Sequence, residues 1–372
     1  MRSKYYSLAP ILAKEAMYNV IIGERSNGKT YASLKYGIEQ YAKRGSQIAL
    51  LRRWQDDFKG KRAASMFDAL VKNGEISRAT NGEWTDVYYY AGRWFLCKYE
   101  GDDRKRIRVT DTDPFCYAFA LSSMEHDKST SYPDIRTIIF DEFITRTAYL
   151  GGMEGSEFVI FMNVLSTIIR DRNDVKIFML GNTVSKSCPY FKEMGLTHVK
   201  NQKPGTIELY HYGNSNLTVA VEFCKPNAQG KASDDYFSFD NPRLQMITGK
   251  GNVWEIAVYP HCPIKYKPKD VVFRYFIQYD GEMLEAEIIN VGESVFTFIH
   301  RKTTPIKNPD EDLIYTPDYD PRPNWKRRLT VPTTPIEKTI ANFFRRDKVY
   351  YQDNEVGEIV RNYLMWSATS SD

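Results

Sequence analysis

Eight consecutive residues, Gly23-Glu24-Arg25-Ser26-Asn27-Gly28-Lys29-Thr30, carry the spacing G-x-x-x-x-G-K-[ST]. A glycine turn of this kind wraps phosphate oxygens in backbone N–H groups, with the positive end of the next helix behind them. Lys29 would then reach the β- and γ-phosphates, and the Thr30 hydroxyl would ligate Mg²⁺. The flanks fit this reading: Tyr18-Asn19-Val20-Ile21-Ile22 reads as a short buried strand, and Thr30 to Arg44 as a helix. With glycine at about 7% of residues, chance supplies about 0.01–0.02 such matches in a chain of this length. The motif therefore predicts binding of a nucleoside triphosphate, ATP with Mg²⁺.

A second constellation lies downstream. Thr137-Ile138-Ile139-Phe140-Asp141-Glu142 is an apolar, β-branched strand ending in two acids, the pattern of a Walker B segment. Asp141 would hold the Mg²⁺ set, and Glu142 would polarise the attacking water. An adjacent glutamate marks the branch of P-loop enzymes that holds helicases, AAA-type machines and packaging motors. Val175 to Leu180 reads as another buried strand, closed by Gly181-Asn182-Thr183. Residues just past strand ends line the ligand crevice of open α/β sheets, so Asn182 is a candidate sensor of γ-phosphate or water.

These groups need a scaffold. Leu34, Ile38, Tyr41 and Ala42 form one apolar stripe on the helix after the glycine loop, and Gly45 stops it. Gln47 to Leu51, ending in Arg52-Arg53, is a second strand, so strand, helix and strand make a βαβ unit with a parallel pairing. Ser156 to Ile169 is a second helix, with Phe158, Phe161, Met162, Leu165, Ile168 and Ile169 on one face. It ends in Arg170-Asp171-Arg172-Asn173. A guanidinium there, supplied across a subunit seam, would stabilise transition-state charge. The residues favour Arg170 and leave Arg172 open, with Arg136 and Arg146 nearby.

Trp84 to Tyr90 and Arg93 to Tyr99 form a hairpin about Ala91-Gly92, read as an antiparallel insertion outside the main sheet. A basic run from Arg104 to Arg108 follows it, and reads either as ordinary solvated surface or as a face for a polyanion. Thr206 to Cys224 is another hairpin. The polar stretch after Lys225 sets the expected organisation: a first domain over 1–224, a linker over 225–251 and a second domain over 252–372. In the second domain, strands are expected over Val253 to Tyr259, Val271 to Tyr279, Glu282 to Val291 and Ser294 to His300. Residues 302–335 hold seven of the 17 prolines and read as irregular. Helices over Ile336 to Arg346 and about Glu355 to Trp366 end the chain.

At 372 residues the chain exceeds one ordinary core, which agrees with two domains. A hydrophobic content of 42% with 26% charged residues excludes a disordered chain. The net charge of +4 permits a nucleic-acid partner without requiring one. Five scattered cysteines with no C-x-x-C pair suggest neither a disulfide framework nor a zinc site. No signal peptide and no membrane span is expected, and the host cytoplasm fits best.

YNVIIGERSNGKTYA, IALLRR, HDKSTSYPDIRTIIFDEF, LSTIIRDRNDVKIFMLGNTVS and the following PYF, at their spacing, resemble the genome-packaging ATPases of phi-twenty-nine-type phages. The resemblance covers about the first 200 residues. It implies an α/β fold: an ASCE P-loop ATPase domain with a mostly parallel sheet and antiparallel insertions. A smaller α+β C-terminal domain of RNase H-like, degenerate nuclease type would follow. It further implies a homopentameric ring that couples ATP hydrolysis to double-stranded DNA translocation, transiently on the prohead, with the portal and structural prohead RNA as partners.

By the same resemblance Lys128 reaches the neighbouring subunit's site, Arg170 is the arginine finger, and Asn182 links nucleotide state to motion. Where the family carries a basic residue after Arg52-Arg53, this chain has Trp54-Gln55, and the resemblance does not extend to a contact from that loop. Glu285, Glu287 and Glu293 are the acids available to a nuclease, and a polar strand face accounts for them. Lys326-Arg327-Arg328 and Arg345-Arg346, with Trp325, Phe343 and Phe344, suit RNA contact. The alternatives are a ring helicase, a terminase with a live nuclease, or a nucleotide-gated scaffold that binds nucleic acid without useful hydrolysis.

Overall fold

Runs that are apolar on both faces must be buried on both faces, and the first unit is built around them. The structure, a computed structural model, describes residues 6–101, 107–126, 131–146, 149–152, 155–213, 215–225, 257–262 and 264–369. The chain divides into two compact units: Met1–Thr145, Gly155–Val184 and Glu193–Ala232, and then Arg146–Glu154, Ser185–Lys192 and Ser233–Asp372. Two short segments expected in the first domain thus belong to the second unit. There Tyr149 packs on Tyr190, and the Ser187 hydroxyl donates to Asp280 at 3.2 Å. The expected linker lies, apart from Lys225, outside the described residues.

The first unit holds the strands β1 (Tyr18–Gly23), β2 (Gln47–Arg52), β3 (Asp86–Tyr90), β4 (Arg93–Glu100), β5 (Ile107–Thr110) and β6 (Cys116–Ala120). It continues with β7 (Ile135–Asp141), β8 (Lys176–Asn182), β9 (Thr206–His211) and β10 (Thr218–Phe223). They form one ten-stranded sheet in the order β9-β10-β1-β8-β7-β2-β6-β4-β3, with β5 on β4. The six strands from β10 to β6 in that order run parallel. Helix α1 (Lys29–Arg44) follows β1, and helix α2 (Glu157–Ile169) precedes β8.

Three expectations change. β1 and β2 share the sheet but do not pair, because β8 and β7, buried on both faces, take the positions between them. The hairpin β3–β4 is not separate from the main sheet: Arg93 and Trp94 pair with Tyr117 and Cys116 of β6. Its inner face carries Trp94 and Leu96, at most 1% exposed, into the core. On α2, Val164 is buried while Met162 is 39% exposed, so the apolar face is rotated from the expected one.

The second unit is an antiparallel meander flanked by parallel strands. It comprises β11 (Val271–Tyr279), β12 (Glu282–Val291), β13 (Ser294–Arg301), β14 (Ile314–Tyr315), β15 (Trp325–Lys326) and β16 (Val349–Tyr351). The order is β15-β14-β11-β12-β13-β16, with β14, β15 and β16 each parallel to a neighbour. Helices α3 (Pro335–Arg345) and α4 (Asn354–Thr369) cover it, burying Ile340, Val356, Val360 and Tyr363 completely. Thr334 caps α3, its hydroxyl accepting from the Glu337 N–H at 3.3 Å. The strand expected over Val253 to Tyr259 falls largely outside the described residues.

Candidate functional site

The loop between β1 and α1 closes on itself through its lysine. The Lys29 ammonium donates to the carbonyls of Gly23 (3.1 Å) and Glu24 (2.8 Å) and to Asn27 Oδ1 (3.1 Å). Asn27 Oδ1 also accepts from the Lys29 N–H at 3.2 Å. Burial pushes the Lys29 ammonium down to about 8, against the opposing pull of Cys224, Asp141 and Glu24. Glycine is required at two positions. A Cβ on Gly23 would lie 2.7 Å from Asn27 Nδ2 and 2.8 Å from Cys224 Cβ, and Gly28 stands at φ +94°. Arg25 and Ser26 form the exposed crest of the loop, while Asn27 and Lys29 are buried.

Neighbouring strand ends complete the site. Gly23 and Asn182 are register partners on β1 and β8, and Asn182 Oδ1 accepts from Lys29 Nζ at 3.2 Å. The Thr30 hydroxyl donates to Asp141 Oδ1 at 3.0 Å, joining the start of α1 to the end of β7. Glu142 follows at φ +61° with its side chain 59% exposed. Gly23 to Thr30, Asp141, Glu142 and Asn182 are therefore brought together by the parallel sheet. Lys128 lies outside the described residues.

Two arginines at the end of β2, noted in the sequence without a partner, prove to build the acidic side of the site. Arg52 Nη2 sits 2.6 Å from Asp141 Oδ2, and Nη1 sits 3.8 Å from Glu142 Oε2. Arg53 forks onto Glu157 with two contacts of 2.7 Å and donates to the carbonyls of Glu142 (3.3 Å) and Phe143 (2.9 Å). This buried pair pins the turn that carries Glu142. Glu157→Ala should destabilise the protein by about 3–5 kcal/mol, because Arg53 is left as a buried cation without its carboxylate. Urea unfolding measures this, and the double variant Arg53→Met/Glu157→Leu should recover most of the loss.

Arg170 and Arg172 separate clearly. Arg170 is exposed in a left-handed conformation (φ +50°) directly after α2. Arg172 instead donates to the carbonyls of Pro133 (2.8 Å), Ile135 (2.5 Å), Ile168 and Ile169, tying the end of α2 to the start of β7. Arg136 pairs with Asp174.

In the second unit Glu285, Glu287 and His300 bring potential ligand atoms within 4.8 Å of one another. Arg274 already pairs with both carboxylates (3.2 and 3.1 Å), Lys302 with Glu285 (2.8 Å) and Tyr266 with Glu287 (2.6 Å). Of the aromatics beside the basic runs, Phe343 is core, Phe344 is half-buried against it, and Arg322 lies 4.2 Å over the Trp325 ring. Arg345 and Arg346 are exposed. No helix among the described residues is long and apolar enough to cross a membrane.

Solved structures of two assemblies share the fold of the whole chain. The phi-28 gp11 DNA packaging motor matches at TM-score 0.52 and 16% identity, over 98% of this chain and 96% of that one. The bacteriophage phi-29 viral genome packaging motor assembly matches at TM-score 0.54 and 18% identity, over 97% of each. The DNA packaging protein of Bacillus phage B103 is 29% identical over 193 residues, 52% of each chain. That of Bacillus phage phi29 is 28% identical over 203 residues, 54% of this chain and 53% of its own. The chain spans about half the length of the curated relatives it matches. The family described as podovirus DNA encapsidation protein (Gp16) matches residues 1–80 and 100–223, more than half of the chain. The chain belongs to the podovirus DNA encapsidation protein family.

Proposed function

We propose that this chain is the ATP-driven motor that moves double-stranded DNA into a viral prohead in the host cytoplasm, working as a homopentameric ring on the portal with structural prohead RNA. The observation that carries this reading is the convergence of Lys29, Thr30, Asp141 and Asn182 at the ends of β1, β7 and β8. The Thr30 hydroxyl and Asp141 carboxylate, 3.0 Å apart, are hard oxygen donors that fit Mg²⁺. When bound, Mg²⁺ neutralises charge on the β- and γ-phosphates. The loop from Gly23 to Thr30 holds the phosphate chain through backbone N–H groups, and Lys29 exchanges the carbonyls of Gly23 and Glu24 for phosphate oxygens.

Glu142 polarises the attacking water, and Arg170 and Lys128 complete the pocket from a neighbouring subunit. Asn182, bonded to Lys29, reports the phosphate state to β8. Duplex DNA is held mostly through phosphates, since one motor must pass any sequence. The strand order of the second unit, a meander extended by parallel β14 and β15, supports an RNase H-like domain. Its acids are paired with Arg274 and Lys302, which supports a degenerate nuclease.

A defined packaging assay tests the proposal: protein, proheads, double-stranded DNA and ATP, read as nuclease-protected DNA. Wild-type protein should protect DNA, and Lys29→Ala should protect none and lose ATP binding by equilibrium dialysis. ATP-independent protection would sink the motor reading.

A further inference from the structure

The outer face of the β3–β4–β5 edge buries Cys97 completely but leaves its rim exposed. Alternation along the strands sends Trp94 and Leu96 inward and leaves Tyr88, Tyr90, Arg93, Phe95, Tyr99 and Arg108 on the opposite face. Tyr90 is 64% exposed, and Arg93 and Arg108 are exposed. The planar groups are ordered against one another. Tyr88 and Tyr90 are nearly parallel (11°) with centroids 6.3 Å apart, and the Arg108 guanidinium lies 3.4 Å from the Tyr88 ring centroid. Across the strands, Tyr90 pairs with Arg93, which lies 5.9 Å from the Tyr117 ring. Among the described residues this face sets two arginines against one acid, Asp86, whose carboxylate accepts from the Val87 N–H at 2.8 Å. The family match skips residues 81–99, which carry Tyr88, Tyr90 and Arg93, and resumes before Arg108.

We infer that this face is a binding platform for an unpaired RNA strand, its bases stacked on Tyr88, Tyr90 and the Arg108 plane and its phosphates held by Arg93 and Arg108. Exposed rings and guanidinium planes are what unpaired bases stack on, whereas a duplex hides its base faces. The hydroxyls of Tyr88, Tyr90 and Thr110 share the face and engage no hydrogen bond among the described residues. They suit a ribose 2′-hydroxyl, which both donates and accepts. A positively charged rim fits the phosphates.

The test uses the full chain without nucleotide and reads fluorescence anisotropy. The probes are a labelled single-stranded RNA, the DNA of the same sequence, and the RNA annealed to its complement. Single-stranded RNA should bind tightest. Tyr90→Ala should weaken it by about 5- to 150-fold, the range for losing one base–aromatic stack. Arg108→Ala should also lower the slope of log affinity against log salt by about one unit. Tyr88→Phe/Tyr90→Phe should keep the stacking but erase the preference for RNA over DNA. Three results would overturn the assignment: equal affinity for the two single strands, an equal loss on the annealed probe, or a Tyr90→Ala protein of wild-type thermal stability that binds RNA as before. A Tyr90→Ala defect confined to self-association would overturn it too, by making the face a subunit contact. Lys29→Ala should bind the RNA normally, which separates this test from failure of the ATP reading.

Discussion

Glu142→Gln should lower steady-state ATP turnover by about 10²–10⁴-fold, the usual contribution of a positioned general base, while ATP affinity stays near wild type. Glutamine keeps the shape and loses the ability to accept a proton. The backbone supports this division of labour. Glu142 stands at φ +61°, a conformation that costs a non-glycine residue about 1–2 kcal/mol. It persists because Arg53 holds the carbonyls of Glu142 and Phe143 from behind, itself locked by Glu157. The strain turns the Glu142 side chain outward, 59% exposed, while Asp141 one residue earlier stays buried against Thr30. Two adjacent acids thereby face different tasks. Phosphate release under saturating ATP, with binding measured separately, checks the prediction. Unchanged turnover would remove Glu142 from the chemistry, and a parallel loss of ATP binding would make it a metal-holding group instead.

Much of this site was legible in the sequence because its parts are local. A glycine loop between strand and helix, and an acidic pair at a strand's end, each fit within about ten residues and obey short-range geometry. The helix read over Thr30 to Arg44, which begins at Lys29, its Gly45 stop and the strands Val271–Tyr279 and Glu282–Val291 followed from periodicity and turn residues. What remained hidden was pairing at long range. Arg52 and Arg53 were visible as charges after a buried strand, yet their partners lie about 90 to 100 residues away. Glu157 reads as an ordinary first-turn acid of a helix, and only the fold reveals that it is 1% exposed beneath Arg53. The order of β1, β8, β7 and β2 was hidden for the same reason, since apolar strands carry no label for their neighbours. Cys224 gave no signal at all. It backs the glycine loop because β10 lies beside β1.

Arg170→Ala should reduce turnover by about 10³–10⁵-fold, the range for an arginine supplied to a phosphoryl-transfer site, with a smaller loss of thermal stability than Arg172→Ala. Arg172→Ala should do the reverse. Its guanidinium holds the carbonyls of Pro133, Ile135, Ile168 and Ile169, so its loss should lower the unfolding midpoint and leave turnover largely intact at low temperature. The contrast follows from where α2 ends. Arg170 ends the helix in the left-handed region with an exposed side chain, whereas Arg172 folds back onto the carbonyls of Ile168 and Ile169. Mixing then decides whether the arginine acts across a seam. Glu142→Gln and Arg170→Ala subunits should each turn over very slowly alone. In mixed rings, a seam where one subunit keeps Glu142 and its neighbour keeps Arg170 is complete, so turnover should reappear. No recovery at any ratio, with turnover of wild-type protein rising linearly with concentration, would mean that each active site is self-contained and that Arg170 serves its own chain.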